Sequence, residues 1–93
     1  MYSFVYTYEI TDPCPSGYVL KPGTISGTGQ LGYKKNVASI DDCSQLCEAE
    51  ENCCSLEYSD TRKKCYLNTD CNPTKERWKD YNFCSKESGK VNF

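Results

Sequence analysis

A chain of 93 residues with eight cysteines and no histidine has room for one domain with a small core, and its composition indicates a disulfide scaffold rather than a metal site. The absence of histidine excludes Ser-His and Cys-His catalysis, and a formal net charge of −2 is too near neutral to favour nucleic acid as a partner. Because disulfides persist in oxidising environments, we expect a secreted, extracellular domain. No segment is long and apolar enough to predict insertion into a membrane.

The N-terminal stretch, residues 2–10, carries the strongest strand pattern of the chain. Its alternating apolar side chains share one face of an extended chain, namely Tyr2, Phe4, Tyr6, Tyr8 and Ile10. We interpret the stretch as a terminal strand packed on its own domain; the alternative is an exposed edge that pairs with another chain. It lacks the basic start and apolar block of a signal peptide, so we expect a mature fragment or a domain of a longer secreted protein.

Two segments precede the predicted helix. Residues 18–20 are expected to form a short strand, and the glycine-rich residues 22–32 are expected to form a structured surface loop. The loop has no Gly-Lys-Ser sequence and no surrounding βαβ unit, which disfavours phosphate binding.

A helix is predicted to begin at Ser39 or Asp41, since the side chain of either can accept a hydrogen bond from a backbone N–H of the first turn. Apolar positions then recur at helical spacing, namely Ile40, Cys43, Leu46 and Cys47. Cys43 and Cys47 lie one turn apart with nearly parallel Cβ vectors, so we expect each to bond a separate partner. Asn52 is predicted to end the helix, because asparagine tolerates the left-handed conformation.

Two strands joined by a polar turn, Ser55–Ser59 and Lys64–Asn68, are predicted to lie beneath the helix. In an extended chain Cys53 and Cys54 point to opposite faces, so they should take different partners. A last strand is predicted at residues 77–84, followed by a fraying tail. We expect the core between helix and sheet to contain Ile40, Leu46, Leu56, Tyr58 and Leu67.

Three motifs of the second half of the chain carry a resemblance to a known family. They are Cys43-x3-Cys47-x5-Cys53-x2-Leu56-x-Tyr58-Ser59, Lys64-Cys65-Tyr66-Leu67 and Tyr81-Asn82-Phe83-Cys84. Together they resemble the PAN/apple domain of extracellular proteins, although Leu56 stands where that family usually has an aromatic side chain. The resemblance implies an α+β fold, a small disulfide-rich domain in which a curled antiparallel sheet cradles a single helix. It divides the chain into an N-terminal extension (1–13), the domain (14–86) and a C-terminal tail (87–93).

The residues alone leave the pairing of the eight cysteines open. The resemblance implies a disulfide between the first and the last cysteine and two nested disulfides that tie helix to sheet. Carried onto this chain, these pairs are Cys14–Cys84, Cys43–Cys65 and Cys47–Cys53. Cys54 and Cys71 exceed the six-cysteine pattern of the family and are left to pair with each other.

Catalysis is not expected from these residues. Glu48, Glu50 and Glu51 are neighbours, but on a helix they are most simply a solvated face, and a paired-carboxylate hydrolase needs a cleft for which so small a domain has little room. A redox enzyme would need Cys-x-x-Cys, which is absent, and zinc bound by four cysteines would leave four more to explain. We therefore predict a non-enzymatic domain with no cofactor and no metal.

The resemblance implies a recognition or adhesion module that binds a protein or a carbohydrate. The candidate ligand-binding residues are basic and aromatic side chains of turns and loops, namely Tyr33, Lys34, Lys35, Arg62, Lys63, Lys64, Lys75, Arg77, Trp78 and Lys79. They could receive sulfates or carboxylates of acidic glycans, and Trp78 could stack on a sugar or anchor a protein; the alternative is that they are ordinary solvated charges. A different class of function is a matrix or filament subunit that self-associates through the Tyr-rich N-terminal strand. An inhibitor or toxin would need a reactive-site loop, which we do not find.

Overall fold

The computed structural model describes residues 12–25, 30–76 and 79–86, and within them the chain forms five strands and one helix. The elements are β1 (Tyr18–Lys21), β2 (Tyr33–Lys34), α1 (Ile40–Ala49), β3 (Ser55–Ser59), β4 (Lys64–Asn68) and β5 (Asn82–Lys86). The strands pair antiparallel in the order β1-β5-β3-β4-β2, and α1 packs on β3 and β4. The predicted fold class, a small α+β domain with an antiparallel sheet against a helix, is confirmed.

The central strand β3 lies between β4 and β5, and all five of its residues are buried. Successive side chains of a strand point to opposite faces of the sheet. Leu56, opposite Leu67 of β4, faces the helix and belongs to the core cluster. Glu57, opposite Tyr66 of β4, points the other way. We call this second side, turned away from α1, the distal face.

The core lies between α1 and the sheet. The prediction that Leu56, Tyr58 and Leu67 are buried is confirmed, because their exposed fractions are 0%, 2% and 4%. The same prediction is wrong for Ile40 and Leu46, which are half-buried at the margin of the cluster. The centre of the inward helix stripe is taken instead by the half-cystines at positions 43 and 47, both 0% exposed, and the two aliphatic side chains flank them.

The helix begins where the sequence predicts it. Ser39 is the N-cap, and its hydroxyl oxygen accepts from the Asp42 backbone N–H at 3.2 Å. The helix ends at Ala49, however, and the predicted end at Asn52 is wrong. Cys53 bonds Cys47 with a Cα–Cα distance of 5.3 Å, whereas six helical residues would rise by roughly 9 Å. The chain therefore leaves the helix early in order to return to Cys47.

All eight cysteines are paired. The pairs are Cys14–Cys84, Cys43–Cys65, Cys47–Cys53 and Cys54–Cys71. The first three are those that the family resemblance implies, and the fourth joins the two cysteines that it leaves over. The adjacent Cys53 and Cys54 take different partners, as their opposite directions in an extended chain predict. The helix is linked to β4 through its first cysteine and to the start of β3 through its second.

The last strand differs from its predicted position. It was expected at residues 77–84, but β5 runs from Asn82 to Lys86, so the predicted tail begins too early. Asp80 has a φ of +71°, which interrupts the extended backbone just before the strand. Ser85, expected in the tail, is 0% exposed and pairs with Ser55 of β3.

The glycine-rich loop was predicted to lie on the surface, but its first part is buried against the distal face. The Glu57 carboxylate, 1% exposed, accepts from the Thr24 hydroxyl, from the Ile25 backbone N–H at 3.2 Å and from the Asn68 amide at 3.2 Å. Gly23, at a φ of +129°, lies so close to Pro73 that a Cβ atom would be 2.6 Å from the proline ring. Only glycine fits there, and the loop covers the middle of the distal face.

Residues 30–32, the other described part of the loop, lead into β2, a strand that the sequence pattern did not predict. β2 pairs with β4 and forms one edge of the sheet. The predicted N-terminal strand at residues 2–10 and the tail at 87–93 lie outside the described residues, and both stay predictions.

Candidate ligand-binding site

A concavity on the distal face gathers side chains from three separate parts of the chain. Lys64 and Tyr66 of β4 lie two residues apart and so point to the same face. Arg62 belongs to the β3–β4 turn, and Lys79 and Tyr81 belong to the segment that leads into β5. These five residues line a volume of about 310 Å³. We call this site the basic concavity.

Sheet pairing explains why these parts meet. Asn82, the first residue of β5, is opposite Tyr58 near the end of β3, so the approach to β5 and the turn after β3 lie at the same end of the sheet. Lys64 begins β4 at that end, opposite Ser59. The basic side chains are therefore brought together by two strand pairings and not by closeness in sequence alone.

Three tyrosine rings form a row along this side of the sheet. Tyr33 of β2 stacks on Tyr66 with ring centroids 5.0 Å apart and an interplanar angle of 17°. Tyr66 meets Tyr81 edge to face, with centroids 5.5 Å apart. The Lys64 ammonium lies 5.9 Å from the Tyr33 centroid, within cation–π range. Tyr33 is the exposed ring of the three, at 39%, whereas Tyr66 and Tyr81 are buried, at 7% and 5%.

An ion pair partly neutralises the site. The Arg62 guanidinium lies 3.8 Å from the Asp80 carboxylate, and their side chains are 57% and 34% exposed. Exposed pairs of this kind contribute little to stability. Arg62 is thus held near its place by a weak contact.

Burial raises the pKa of Tyr81 to about 12, and a side-chain hydrogen bond with Tyr66 adds to the shift. At physiological pH this phenol is therefore neutral, and the concavity holds its positive charges without an opposing phenolate.

Alkaline titration tests this assignment. Because the folded pKa of Tyr81 exceeds the ordinary value of 10.0, the unfolded chain loses this proton first. We expect the free energy of unfolding to be unaffected below pH 10 and to fall as the pH rises from there to about 12. Burial also raises the pKa of Tyr18 and of Tyr58, so phenolate absorbance should show several late-titrating tyrosines, and Tyr81→Phe should remove one of them. The pKa assignment is refuted if the tyrosine that Tyr81→Phe removes from the titration curve is one that titrates near the ordinary value of 10.0.

Comparison with protein families matches residues 14–87 to the PAN domain. The chain belongs to the PAN-domain family. The comparisons with curated proteins and with solved structures found no match. PAN domains are known as protein- and carbohydrate-binding modules and are non-enzymatic as a family. The matched residues include all eight cysteines, and a PAN domain with several disulfides is typical of extracellular proteins.

Only some of the predicted ligand residues lie at the basic concavity. Arg62, Lys64 and Lys79 meet in the basic concavity, and Tyr33 adjoins it through its stack on Tyr66. Arg77 and Trp78 lie outside the described residues, so the stacking role predicted for Trp78 stays a prediction.

The remaining predicted lysines do not line the basic concavity. Lys34 follows Tyr33 on β2 and therefore points to the helix side of the sheet. Lys63 is occupied, because its ammonium binds the Asp60 carboxylate at 3.0 Å and the Ala38 carbonyl at 3.3 Å. Lys35 and Lys75 are exposed and do not line the concavity.

Two aromatic residues of the site, Tyr66 and Tyr81, were not among the predicted ligand residues. The signal for Tyr66 was present, because alternation along β4 places it on the same face as Lys64. Tyr81 carried no such signal, because its place beside Arg62 depends on the pairing of β5 with β3.

Other features of the PAN domain suit an acidic ligand less well. A shallow groove of about 510 Å³ lies beside α1, and the charged residue that lines it is Asp42.

Within the described residues, no group of three or more His, Cys, Asp or Glu side chains is placed to hold a metal ion. The same residues include no helix with the length and apolar character needed to cross a bilayer.

Proposed function

We propose that this PAN domain is a non-catalytic extracellular recognition module whose basic concavity binds an acidic glycan. The observation that carries the proposal is the convergence of Arg62, Lys64 and Lys79 on a concavity walled by Tyr66 and Tyr81. Cationic side chains recognise sulfates and carboxylates through charge-assisted hydrogen bonds. The exposed ring of Tyr33, which stacks on Tyr66, supplies flat apolar surface for a sugar. A volume of about 310 Å³ lies at the small end of ligand sites, which fits one or two sugar units.

The distribution of charge supports the choice of face. The helix exposes acidic side chains, including Asp41, Asp42 and Glu48, and it packs on the opposite side of the sheet from the concavity. A polyanionic ligand is repelled from the helix side and attracted to the distal side. The net charge of −2 therefore hides a separation of charge that favours one orientation of an acidic partner.

A ligand-binding experiment with paired variants tests the proposal. Arg62→Gln and Lys64→Gln each remove one charge from the concavity, and we expect each to weaken binding of a sulfated oligosaccharide roughly threefold to tenfold. Lys34→Gln is the matched control, since it removes the same charge from the neighbouring strand on the other side of the sheet. Isothermal titration at low and physiological salt should also show a steep loss of affinity, because exposed charges are screened.

A glycan array identifies the oligosaccharide to be used and includes neutral and acidic members. The proposal is rejected if binding is insensitive to salt and survives both Arg62→Gln and Lys64→Gln. A protein ligand is the alternative, and it would show as capture that depends on Tyr33 or Trp78 more than on salt.

Assembly into a matrix through residues 2–10 remains the alternative from another class of function. Those residues lie outside the described part of the chain. Size-exclusion chromatography at rising concentration separates the two functions, because a binding module stays monomeric and a filament subunit does not.

A further inference from the structure

We propose that Asp80 competes with the ligand anion for Arg62. The Asp80 carboxylate pairs with the Arg62 guanidinium until an acidic ligand displaces it. This inference rests on the proposed function of the basic concavity. Asp80 does not line the concavity, but its carboxylate forms an ion pair with Arg62, which does, at 3.8 Å from the guanidinium. Its neighbours on both sides in the chain, Lys79 and Tyr81, are walls of the concavity.

The backbone places Asp80 in this position. Its φ of +71° lies in the left-handed region, which aspartate and asparagine adopt more readily than most residues. The turn directs the carboxylate back toward the β3–β4 turn, while the next residue, Tyr81, is buried at 5% exposure. The contact is thus part of a defined turn just before β5.

The strength of the pair suits displacement. Both side chains are partly exposed, at 57% and 34%, and exposed ion pairs are weak. A sulfate or a carboxylate that also reaches Lys64 and Lys79 gains contacts that Asp80 does not make. A neutral sugar hydroxyl, by contrast, accepts a weaker hydrogen bond from a guanidinium than a carboxylate does. Asp80 therefore lowers the affinity for every ligand that uses Arg62 and favours those that bring a negative charge.

Asp80→Asn is the direct test. Asparagine keeps the left-handed turn but removes the competing charge. Because a partly occupied site lowers the apparent affinity by the occupied fraction, we expect a sulfated uronate-containing disaccharide to bind about two- to fivefold more tightly. In the unmodified protein, saturation with this disaccharide should shift the carboxyl-carbon NMR resonance of Asp80.

Asp60→Asn is the matched control for net charge. Asp60 lies in the same turn region as Arg62, but its carboxylate binds Lys63 at 3.0 Å, and neither residue lines the concavity. We expect this variant to bind the disaccharide as the unmodified protein does. Equal affinities of Asp80→Asn and Asp60→Asn overturn the role of Asp80.

The two proposals fail in different ways. If Arg62→Gln and Lys64→Gln weaken binding but Asp80→Asn does not strengthen it, the concavity remains the binding site and the competitor role is refuted. If Arg62→Gln and Lys64→Gln bind the disaccharide like the unmodified protein, the proposed function is refuted and the role of Asp80 with it.

Discussion

Replacement of both Cys14 and Cys84 with alanine is expected to lower the free energy of unfolding by about 4 kcal/mol. The disulfide closes a loop with a sequence separation of 70, and in the chain-entropy account a longer loop removes more freedom from the unfolded chain. Using both alanines avoids leaving a reactive thiol. Chemical denaturation under oxidising conditions measures the difference, with the other three disulfides intact.

The short loop between Cys47 and Cys53 provides the comparison. Its separation is 6, and the same account gives a loss of about 2 kcal/mol for the corresponding double alanine variant. Cys47, Cys53 and Cys84 are buried and Cys14 is half-buried, so the cavities left behind do not favour the larger loss expected for the Cys14–Cys84 variant. Equal destabilisation of the two double variants would show that loop length does not set the stability of this domain.

Glu57→Ala is expected to destabilise the domain by about 3 kcal/mol or more. The carboxylate receives hydrogen bonds from Thr24, Ile25 and Asn68, all of them buried. Alanine leaves the Ile25 N–H and the Asn68 amide without this acceptor, and the Thr24 hydroxyl keeps only a longer contact to the Ile25 carbonyl at 3.4 Å. A buried donor without a partner costs about 1–3 kcal/mol. Because two of the donors belong to the glycine-rich loop, hydrogen exchange at the Ile25 amide should also become faster.

Glu57→Gln is the control for side-chain size. Glutamine keeps one acceptor oxygen in the same space, so we expect a loss of roughly 1–2 kcal/mol and partial protection of the Ile25 amide. The anchoring role of Glu57 is wrong if the free energy of unfolding of Glu57→Ala lies within about 0.5 kcal/mol of that of the unmodified protein, the range of an ordinary surface substitution.

Local patterns were sufficient for part of the fold. β3 and β4 occupy the residues that alternation and a polar turn predict, and Ser39 marks the start of the helix. These signals work because they depend on neighbours in the sequence. Each strand has one face against the helix, and the cap bonds a backbone group three residues away.

Long-range contacts account for the principal errors. Alternation along β3 suggests that Glu57 faces solvent, yet it is buried because residues 24–25, more than 30 positions earlier, cover the distal face. The helix stops at Ala49 because a disulfide draws Cys53 back to Cys47. Neither event leaves a local pattern, since both depend on a partner distant in sequence or on the choice among possible cysteine pairs.

The candidate site divides in the same way. The choice of basic turn residues included Arg62, Lys64 and Lys79, but residue type alone could not separate them from Lys34 and Lys63. Alternation distinguishes Lys34 once the pairing of β2 is known. Lys63 differs because its own turn places it on Asp60.

The pairing of Cys14 with Cys84 has a mechanical consequence. Tension applied to the chain outside these two residues passes through one covalent bridge, across a Cα–Cα distance of 5.7 Å. Only the last two residues of β5, Ser85 and Lys86, pair with the sheet from outside the bridge, and the residues between the two cysteines carry no load. Without the bridge, the 70-residue separation would allow an extension of roughly 240 Å once the fold was pulled apart. Under oxidising conditions the domain thus behaves as a link of fixed length, and the basic concavity keeps its shape while the chain on either side is stretched.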